Sequence, residues 1–330
     1  MSVDYEIQNA VLCGSNGELF LGAGAHNILK FATGERTVHP DSVRNFWWNM
    51  SERSAFCERH QKAFLQIVAP EKYKVHPEGF PVTNPKSFWD AHAASEKATC
   101  ENLWYGVEDL RRNSFGRSYY KTDTHWTAAG MMLATLRIAE QAGFSAQEKD
   151  DLTQLMQAHT VPLDKNFYGD LGRKLDPKVG EKVVWPKRAK TTRTAENGIG
   201  HDYGKPVNDG RLVVSRNSES VSGQTLLIFG DSYLFNALAY LELAFRNVVF
   251  CRTRFFHREM VNMVMPDIIV CQAAERYTRE VSQDAKAPPF LLLPYVLGRA
   301  PQMDPAQAAF VSSFLANRRK PDFTEYNGAF

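Results

Sequence analysis

The sequence predicts an α/β fold built on a largely parallel sheet. Short apolar runs alternate along the chain with segments of helical periodicity, which is the pattern of strands joined by crossover helices. The strongest apolar run ends in Gly230-Asp231-Ser232 and passes at once into a helical pattern. With 330 residues, 44% of them hydrophobic, the chain can bury a large core. We expect a single domain over residues 1–330.

The individual elements follow from the same patterns. One helix is predicted from Thr127 to about Ala142, because apolar residues recur on one face and Gly143 follows as a terminating residue. A second helix is predicted from Tyr233 to Phe245 on the same grounds. Strands are predicted at residues 19–21, 64–68, 225–229, 247–251 and 267–271.

A basic segment at about residues 173–216 differs in composition, because lysine and arginine are interspersed there with glycine and proline. The strongest strand and helix follow it directly, so we interpret it as an insertion within the domain. Two readings of the insertion remain open. It is either a solvated loop or a surface that meets an anionic substrate.

Charge and cysteine content exclude several function classes. Lys and Arg number 39 against 37 Asp and Glu, so no overall field favours nucleic acid or an anionic membrane as a partner. The first six residues include the acidic Asp4 and Glu6 where a signal peptide is basic, and no run approaches the roughly 20 apolar residues of a membrane span. We therefore expect a cytoplasmic protein. Five scattered cysteines without a CxxC pair indicate no disulfide framework, metal site or cofactor.

The Gly-Asp-Ser turn is the first candidate for chemistry. A parallel strand that ends there places Ser232 at the carboxyl edge of the sheet, where open α/β folds carry their sites. Its hydroxyl would lie at a helix N-terminus, whose free N–H groups can stabilise an oxyanion. The alternative is that Asp231 or Ser232 only caps the helix.

The second candidate is Asp123-Thr124-His125, just before the first predicted helix. In a non-helical segment residues i and i+2 point the same way, so Asp123 can hold the ring of His125. A histidine held in this way can take the proton of a serine hydroxyl. The alternative is that this segment caps the helix while His125 packs beside Trp126.

Taken together, these motifs resemble the SGNH-like domain of the alginate O-acetyltransferases of the AlgX and AlgJ type. The similar segments are residues 14–21, 67–72, 123–127, 168–171, 230–233, 266–270 and 275–276, and the basic insertion is unmatched. The resemblance implies a flavodoxin-like three-layer α/β/α sandwich of the SGNH-hydrolase type. It also implies transfer or removal of an acetyl ester on a polysaccharide hydroxyl. Ser232 would carry the acyl group, with His125 as base and Asp123 as its orienter.

Five further residues are candidates for substrate contact because of their places near strand and helix ends: Tyr233, Arg252, Arg254, Trp126 and Lys72. Three function classes remain open at this point. The chain is an O-acetyltransferase that uses a carbohydrate acceptor and an acyl donor, an esterase with the same triad and water as acceptor, or a non-catalytic carbohydrate-binding or assembly protein. The sequence assigns no second oxyanion donor.

Overall fold

The computed structural model describes residues 7–95, 100–200 and 209–315. The strands are β1 (Ile7–Gln8), β2 (Val11–Cys13), β3 (Leu19–Leu21), β4 (Ala63–Ala69), β5 (Leu103–Trp104), β6 (Thr160–Pro162), β7 (Val184–Pro186), β8 (Thr192–Glu196), β9 (Leu212–Asn217), β10 (Ser222–Gly230), β11 (Phe245–Arg252) and β12 (Ile268–Ala274).

The α-helices are α1 (Ile28–Ala32), α2 (Pro40–Arg59), α3 (Lys72–Val75), α4 (Phe88–Ala93), α5 (Val107–Arg111), α6 (Ala128–Gln141), α7 (Ala146–Ala158), α8 (Ser232–Asn236), α9 (Leu238–Ala244), α10 (Arg258–Val264), α11 (Leu293–Val296) and α12 (Pro305–Leu315). Short 3-10 helices cover Ser15–Gly17, Pro77–Gly79, Gly172–Lys174, Glu275–Arg279, Asp284–Lys286 and Phe290–Leu292. No described helix is both long enough and apolar enough to cross a bilayer.

A seven-stranded sheet in the order β5-β4-β12-β10-β11-β9-β8 forms the centre of the fold. The first five strands of that order are parallel, and β9 and β8 add an antiparallel edge. Helices α6, α7 and α9 pack on one face, and helices α2, α10 and α12 pack on the other. The predicted α/β fold with three layers and a mostly parallel sheet is confirmed.

The middle strand β10 shows why the apolar runs are continuous. Leu226 and Ile228 belong to the apolar cluster on one face, while Leu227 and Phe229 belong to the cluster on the other. A strand that is covered by helices on both faces needs apolar side chains at every position. The run therefore predicts a central strand, and β10 lies between β12 and β11.

Two predicted elements differ from the structure. The helix predicted from Tyr233 to Phe245 is divided at Ala237 into α8 and α9, and Phe245 already begins β11. The strand at residues 19–21 exists as β3, but it pairs with β2 in a separate three-stranded sheet. The predicted basic insertion supplies β7, β8 and β9, two of which extend the central sheet. Its residues 201–208 lie outside the described part of the chain.

Candidate active site

The turn after β10 places Ser232 at the carboxyl edge of the parallel strands. Asp231 caps α8: its carboxylate accepts hydrogen bonds from the backbone N–H of Tyr233 at 2.9 Å and of Ala274 at 2.7 Å. The N–H of Asp231 donates in turn to Oε1 of Gln272 at 3.0 Å. The bonds to Gln272 and Ala274 join the turn to the end of β12. The capping reading is therefore correct for Asp231, and it leaves the hydroxyl of Ser232 available for another partner.

The partner of the Ser232 hydroxyl is His125. The serine Oγ lies 2.7 Å from Nε2 of His125, and Nδ1 of the same ring lies 2.6 Å from Oδ1 of Asp123. The backbone N–H of His125 donates to the same carboxylate oxygen at 2.8 Å. Asp123 is buried, whereas Ser232 and His125 are half-buried. The three side chains form one hydrogen-bonded chain that opens to solvent at its serine end.

A buried turn just before α6 holds the segment that carries His125. Tyr119 and Trp126 pair as an isolated bridge, and the indole N–H of Trp126 donates to the Tyr119 hydroxyl at 3.0 Å. The Tyr119 hydroxyl then donates to the carbonyl of Pro70 at 2.6 Å, just after β4. Thr127 caps α6 by accepting from the N–H of Gly130. Asp123 and His125 are thus fixed between the start of α6 and the edge of the sheet.

The charges of the site favour an ionised Asp123 and a basic His125. Burial opposes the charge on His125, but the carboxylate of Asp123 outweighs it and raises the pKa of His125 above its ordinary 6.5. Burial likewise opposes ionisation of Asp123, yet the nearby His125 and several N–H donors hold the pKa of that carboxyl well below its usual range. An imidazole with a raised pKa is a stronger proton acceptor for a serine hydroxyl.

Tyr233 and Arg276 form a buried layer of contacts next to His125. The Tyr233 hydroxyl donates to the carbonyl of Thr124 at 2.6 Å, and its ring centroid lies 5.0 Å from that of His125. Arg276 donates to the Tyr233 hydroxyl at 3.4 Å and forms an ion pair with Glu71 at 3.2 Å. Both charged side chains are buried. The sequence assigned no role to Glu71 or Arg276. Two charged residues directly after an apolar strand, Glu275 and Arg276, are nevertheless unusual.

Three of the residues expected to contact substrate are buried in the protein, and that expectation is corrected. Trp126 is 0% exposed and Tyr233 is 2% exposed, so neither ring is available to a sugar. Lys72 is 3% exposed, and its ammonium donates to the carbonyls of Leu19 and Lys121 and pairs with Glu18 at 3.1 Å. Lys72 was expected at an exposed strand end, but the three-stranded sheet of β1, β2 and β3 covers that end.

Arg252 and Arg254 remain candidates for substrate contact. Arg252 ends β11 and Arg254 follows it at the same edge of the sheet; Arg252 is half-buried and Arg254 is exposed. Arg254 borders an open pocket that is also lined by Gln272 and Tyr277. Ser232 is not among the residues that line this pocket. The pocket therefore lies beside the Gly-Asp-Ser turn without containing the Ser232 hydroxyl.

The cluster of Asp123, His125 and Asp170 resembles a possible cation site, because one donor atom from each lies within 4.8 Å of the others. Protein donors already occupy these acceptors. Asp123 accepts from His125 and from the N–H of Asp170, while Asp170 accepts from the N–H and hydroxyl of Thr124 at 2.8 and 2.6 Å. A cation would have to compete with those bonds, and the three side chains form a hydrogen-bond network.

The sequence matches no protein-family model and, at a significant level, no curated protein. Solved structures share its fold. PatB1 of Bacillus cereus superposes with a TM-score of 0.54 at 13% identity, over 74% of this chain and 93% of that one. A DHHW family protein from Eubacterium siraeum gives 0.53 at 13% identity, over 91% and 99%. The O-acetyltransferase domain of Pseudomonas putida AlgJ gives 0.50 at 13% identity, over 88% and 100%.

Proposed function

We propose that this chain is a serine acyltransferase that passes an acetyl group to a carbohydrate hydroxyl through an acetyl-Ser232 intermediate. The hydrogen-bonded chain from Ser232 through His125 to Asp123 is the observation that carries the proposal. It unites a nucleophile, a base and an orienting carboxylate at the distances that nucleophilic catalysis requires.

The reaction proceeds in two acyl transfers. In the first, Ser232 Oγ attacks the carbonyl carbon of an acetyl ester donor while His125 Nε2 takes the serine proton. The tetrahedral intermediate collapses, the donor alcohol leaves with the proton from His125, and acetyl-Ser232 remains. In the second, His125 takes a proton from the acceptor hydroxyl, whose oxygen attacks the acetyl carbonyl. Ser232 leaves and recovers its proton from His125.

The surrounding groups stabilise the charges that this reaction creates. Asp123 holds His125 by Nδ1, which leaves Nε2 free to exchange a proton with Ser232 and steadies the imidazolium that forms. The N–H of Ser232 begins α8, where backbone N–H groups have no acceptor within the helix. It is suited to receive the negative charge that develops on the acetyl oxygen.

The choice of an acetyl group and a carbohydrate acceptor rests on likeness. The motifs around Ser232 and His125 resemble the alginate O-acetyltransferases, and one solved structure of the same fold is described as the O-acetyltransferase domain of AlgJ. Both point to the same chemistry. The acceptor is expected to be a polysaccharide hydroxyl, which Arg252 and Arg254 could approach at the same edge of the sheet.

An acetylesterase is the second candidate, and the exposure of the site favours it. The side chain of His125 is 18% exposed, so water can reach the base without any movement of the chain. In that case water would take the place of the acceptor in the second step. The two functions differ only in which hydroxyl reaches acetyl-Ser232 first.

The test is incubation with a chromogenic acetyl ester, with and without a panel of oligosaccharides, followed by mass spectrometry of protein and products. We expect acetylated protein at Ser232 and an acetylated oligosaccharide; acetate alone with every acceptor would favour the esterase. The variant Ser232→Ala should be inactive. The matched control is Ser145→Ala, which removes a serine from the start of another helix, α7, where it caps the N–H of Glu148. It should lose about 1 kcal/mol of stability and keep its activity.

A further inference from the structure

Asp170 is a half-buried acidic residue whose hydrogen bonds all lead to the segment that carries His125. Its carboxylate accepts from both the N–H and the hydroxyl of Thr124, and its own N–H donates to Oδ2 of Asp123 at 2.7 Å. Oδ2 is the oxygen of Asp123 that does not face the histidine ring. Asp170 therefore holds the far side of the carboxylate that orients His125.

The loop around Asp170 packs tightly on that segment. The N–H groups of Leu171 and Gly172 both donate to the carbonyl of Thr122, at 3.2 and 2.9 Å. A Cβ placed on Gly169 would lie 2.4 Å from Cβ of Asp123 and 2.4 Å from the carbonyl oxygen of Thr122. Only a glycine allows this approach, so residues 169–172 form a clamp on residues 122–124.

The charge of Asp170 also reaches His125. Three charged groups act on the imidazole: Asp123 and Asp170 favour its protonated form, and Arg276 opposes it. A fourth, Glu71, pairs with Arg276. Burial and the neighbouring Asp123 raise the pKa of Asp170 itself. A second carboxylate behind Asp123 thus adds to the negative potential in which the imidazolium forms.

We propose that Asp170 is a positioning residue for the acyl transfer, which orients Asp123 through its backbone N–H and stabilises protonated His125 through its charge. The inference rests on the proposed function, because it gives Asp170 a part in the same proton transfer. The hydrogen bonds of Asp170 go to Thr124 and Asp123 and not to Ser232, so it acts through Asp123, Thr124 and His125.

Two variants separate the charge of Asp170 from its hydrogen bonds. Asp170→Asn removes the charge but keeps the clamp, since the new amide can accept from the N–H of Thr124 and donate to its hydroxyl, which also accepts. Thr124→Val removes the hydroxyl contact and leaves the charge and the remaining bonds in place. The two variants remove different parts of the interaction between Asp170 and Thr124: one removes the charge and the other removes a hydrogen bond.

The first measurement is the titration of His125 by NMR of histidine ring nitrogens, with its signal identified from a His125→Asn variant. We expect the pKa of His125 to fall in Asp170→Asn and to stay at the wild-type value in Thr124→Val. An unchanged titration in Asp170→Asn, or an equal shift in both variants, would overturn the role of the charge. Because this readout needs no substrate, it holds even if the protein hydrolyses no ester, which would count against the proposed function alone.

The second measurement is the pH profile of turnover with the chromogenic acetyl ester. In Asp170→Asn the acid limb of the kcat/KM profile should move to lower pH, because the pKa of His125 falls. The value of kcat should fall about tenfold to a hundredfold, and KM should stay nearly constant. A structural role alone would lower the melting temperature and leave the acid limb in place. That outcome, with kcat per folded molecule unchanged, would contradict the proposal.

Discussion

Ser232 and Asp231 are neighbours with separable roles, and two alanine variants should divide activity from stability. Ser232→Ala removes a hydroxyl whose side-chain bond is to His125, so the loss is about 1 kcal/mol or less. Asp231→Ala removes a buried carboxylate that accepts from the N–H groups of Tyr233 and Ala274. At about 1.5 to 3 kcal/mol for each bond to a charged acceptor, that variant should lose about 3 to 6 kcal/mol.

The assay combines thermal unfolding with ester turnover at one protein concentration. At roughly 2 °C per kcal/mol, the melting temperature of Asp231→Ala should fall by about 6 to 12 °C, and that of Ser232→Ala by about 2 °C or less. Turnover in Ser232→Ala should fall on the order of 10⁴-fold or further. If Ser232→Ala instead melted as early as Asp231→Ala and kept its turnover per folded molecule, Ser232 would be a structural residue and the acyl-transfer proposal would fall.

Three further predictions concern the same site. In the proposed mechanism Ser232 and His125 act as a unit, so His125→Ala should abolish turnover about as completely as Ser232→Ala, and the double variant should be little worse. Asp123→Ala should lose somewhat less turnover. Fully additive losses of turnover would contradict this prediction. Since the base must be neutral and the pKa of His125 is raised, the acid limb of kcat/KM should have its midpoint at a pH above 6.5. A midpoint at or below pH 6.5 would refute the raised pKa of His125. Tyr233→Phe removes the hydroxyl that donates to the carbonyl of Thr124, so unfolding measurements should show a loss of about 1 to 3 kcal/mol in stability. KM should change less than kcat. Unchanged stability would show that this hydrogen bond does not support the site.

Local patterns predicted the sheet and the two segments of the site because both depend on neighbours in sequence. The run Leu226 to Phe229 needs burial on two faces wherever it lies, and Asp123 and His125 are two residues apart. The division at Ala237 was missed, since apolar periodicity continues across it while the backbone turns there with the N–H of Ala237 bonded to Leu234. Nothing in the periodicity marks that change.

The support of the site could not be predicted from the chain alone. Lys72 ends a strand and looks exposed by position, yet the small N-terminal sheet covers it, and that contact joins residues 53 positions apart. Asp170 stands 47 positions from Asp123, and Arg276 stands 205 from Glu71. Such pairs are set by how loops meet at the edge of the sheet. Asp170 and Arg276 lie in segments that resemble the acetyltransferases, residues 168–171 and 275–276, but the sequence assigned neither of them a role.

The bond between Ser232 and His125 closes a loop of 107 positions, and the bond between Asp170 and Asp123 closes one of 47. Contacts of such separation form late, after the cost in chain entropy of bringing distant segments together has been met. Helices can therefore be present in a chain in which Ser232 and His125 are still apart. Under the proposed function, ester turnover is for this reason a stricter measure of completed folding than the recovery of helical circular dichroism.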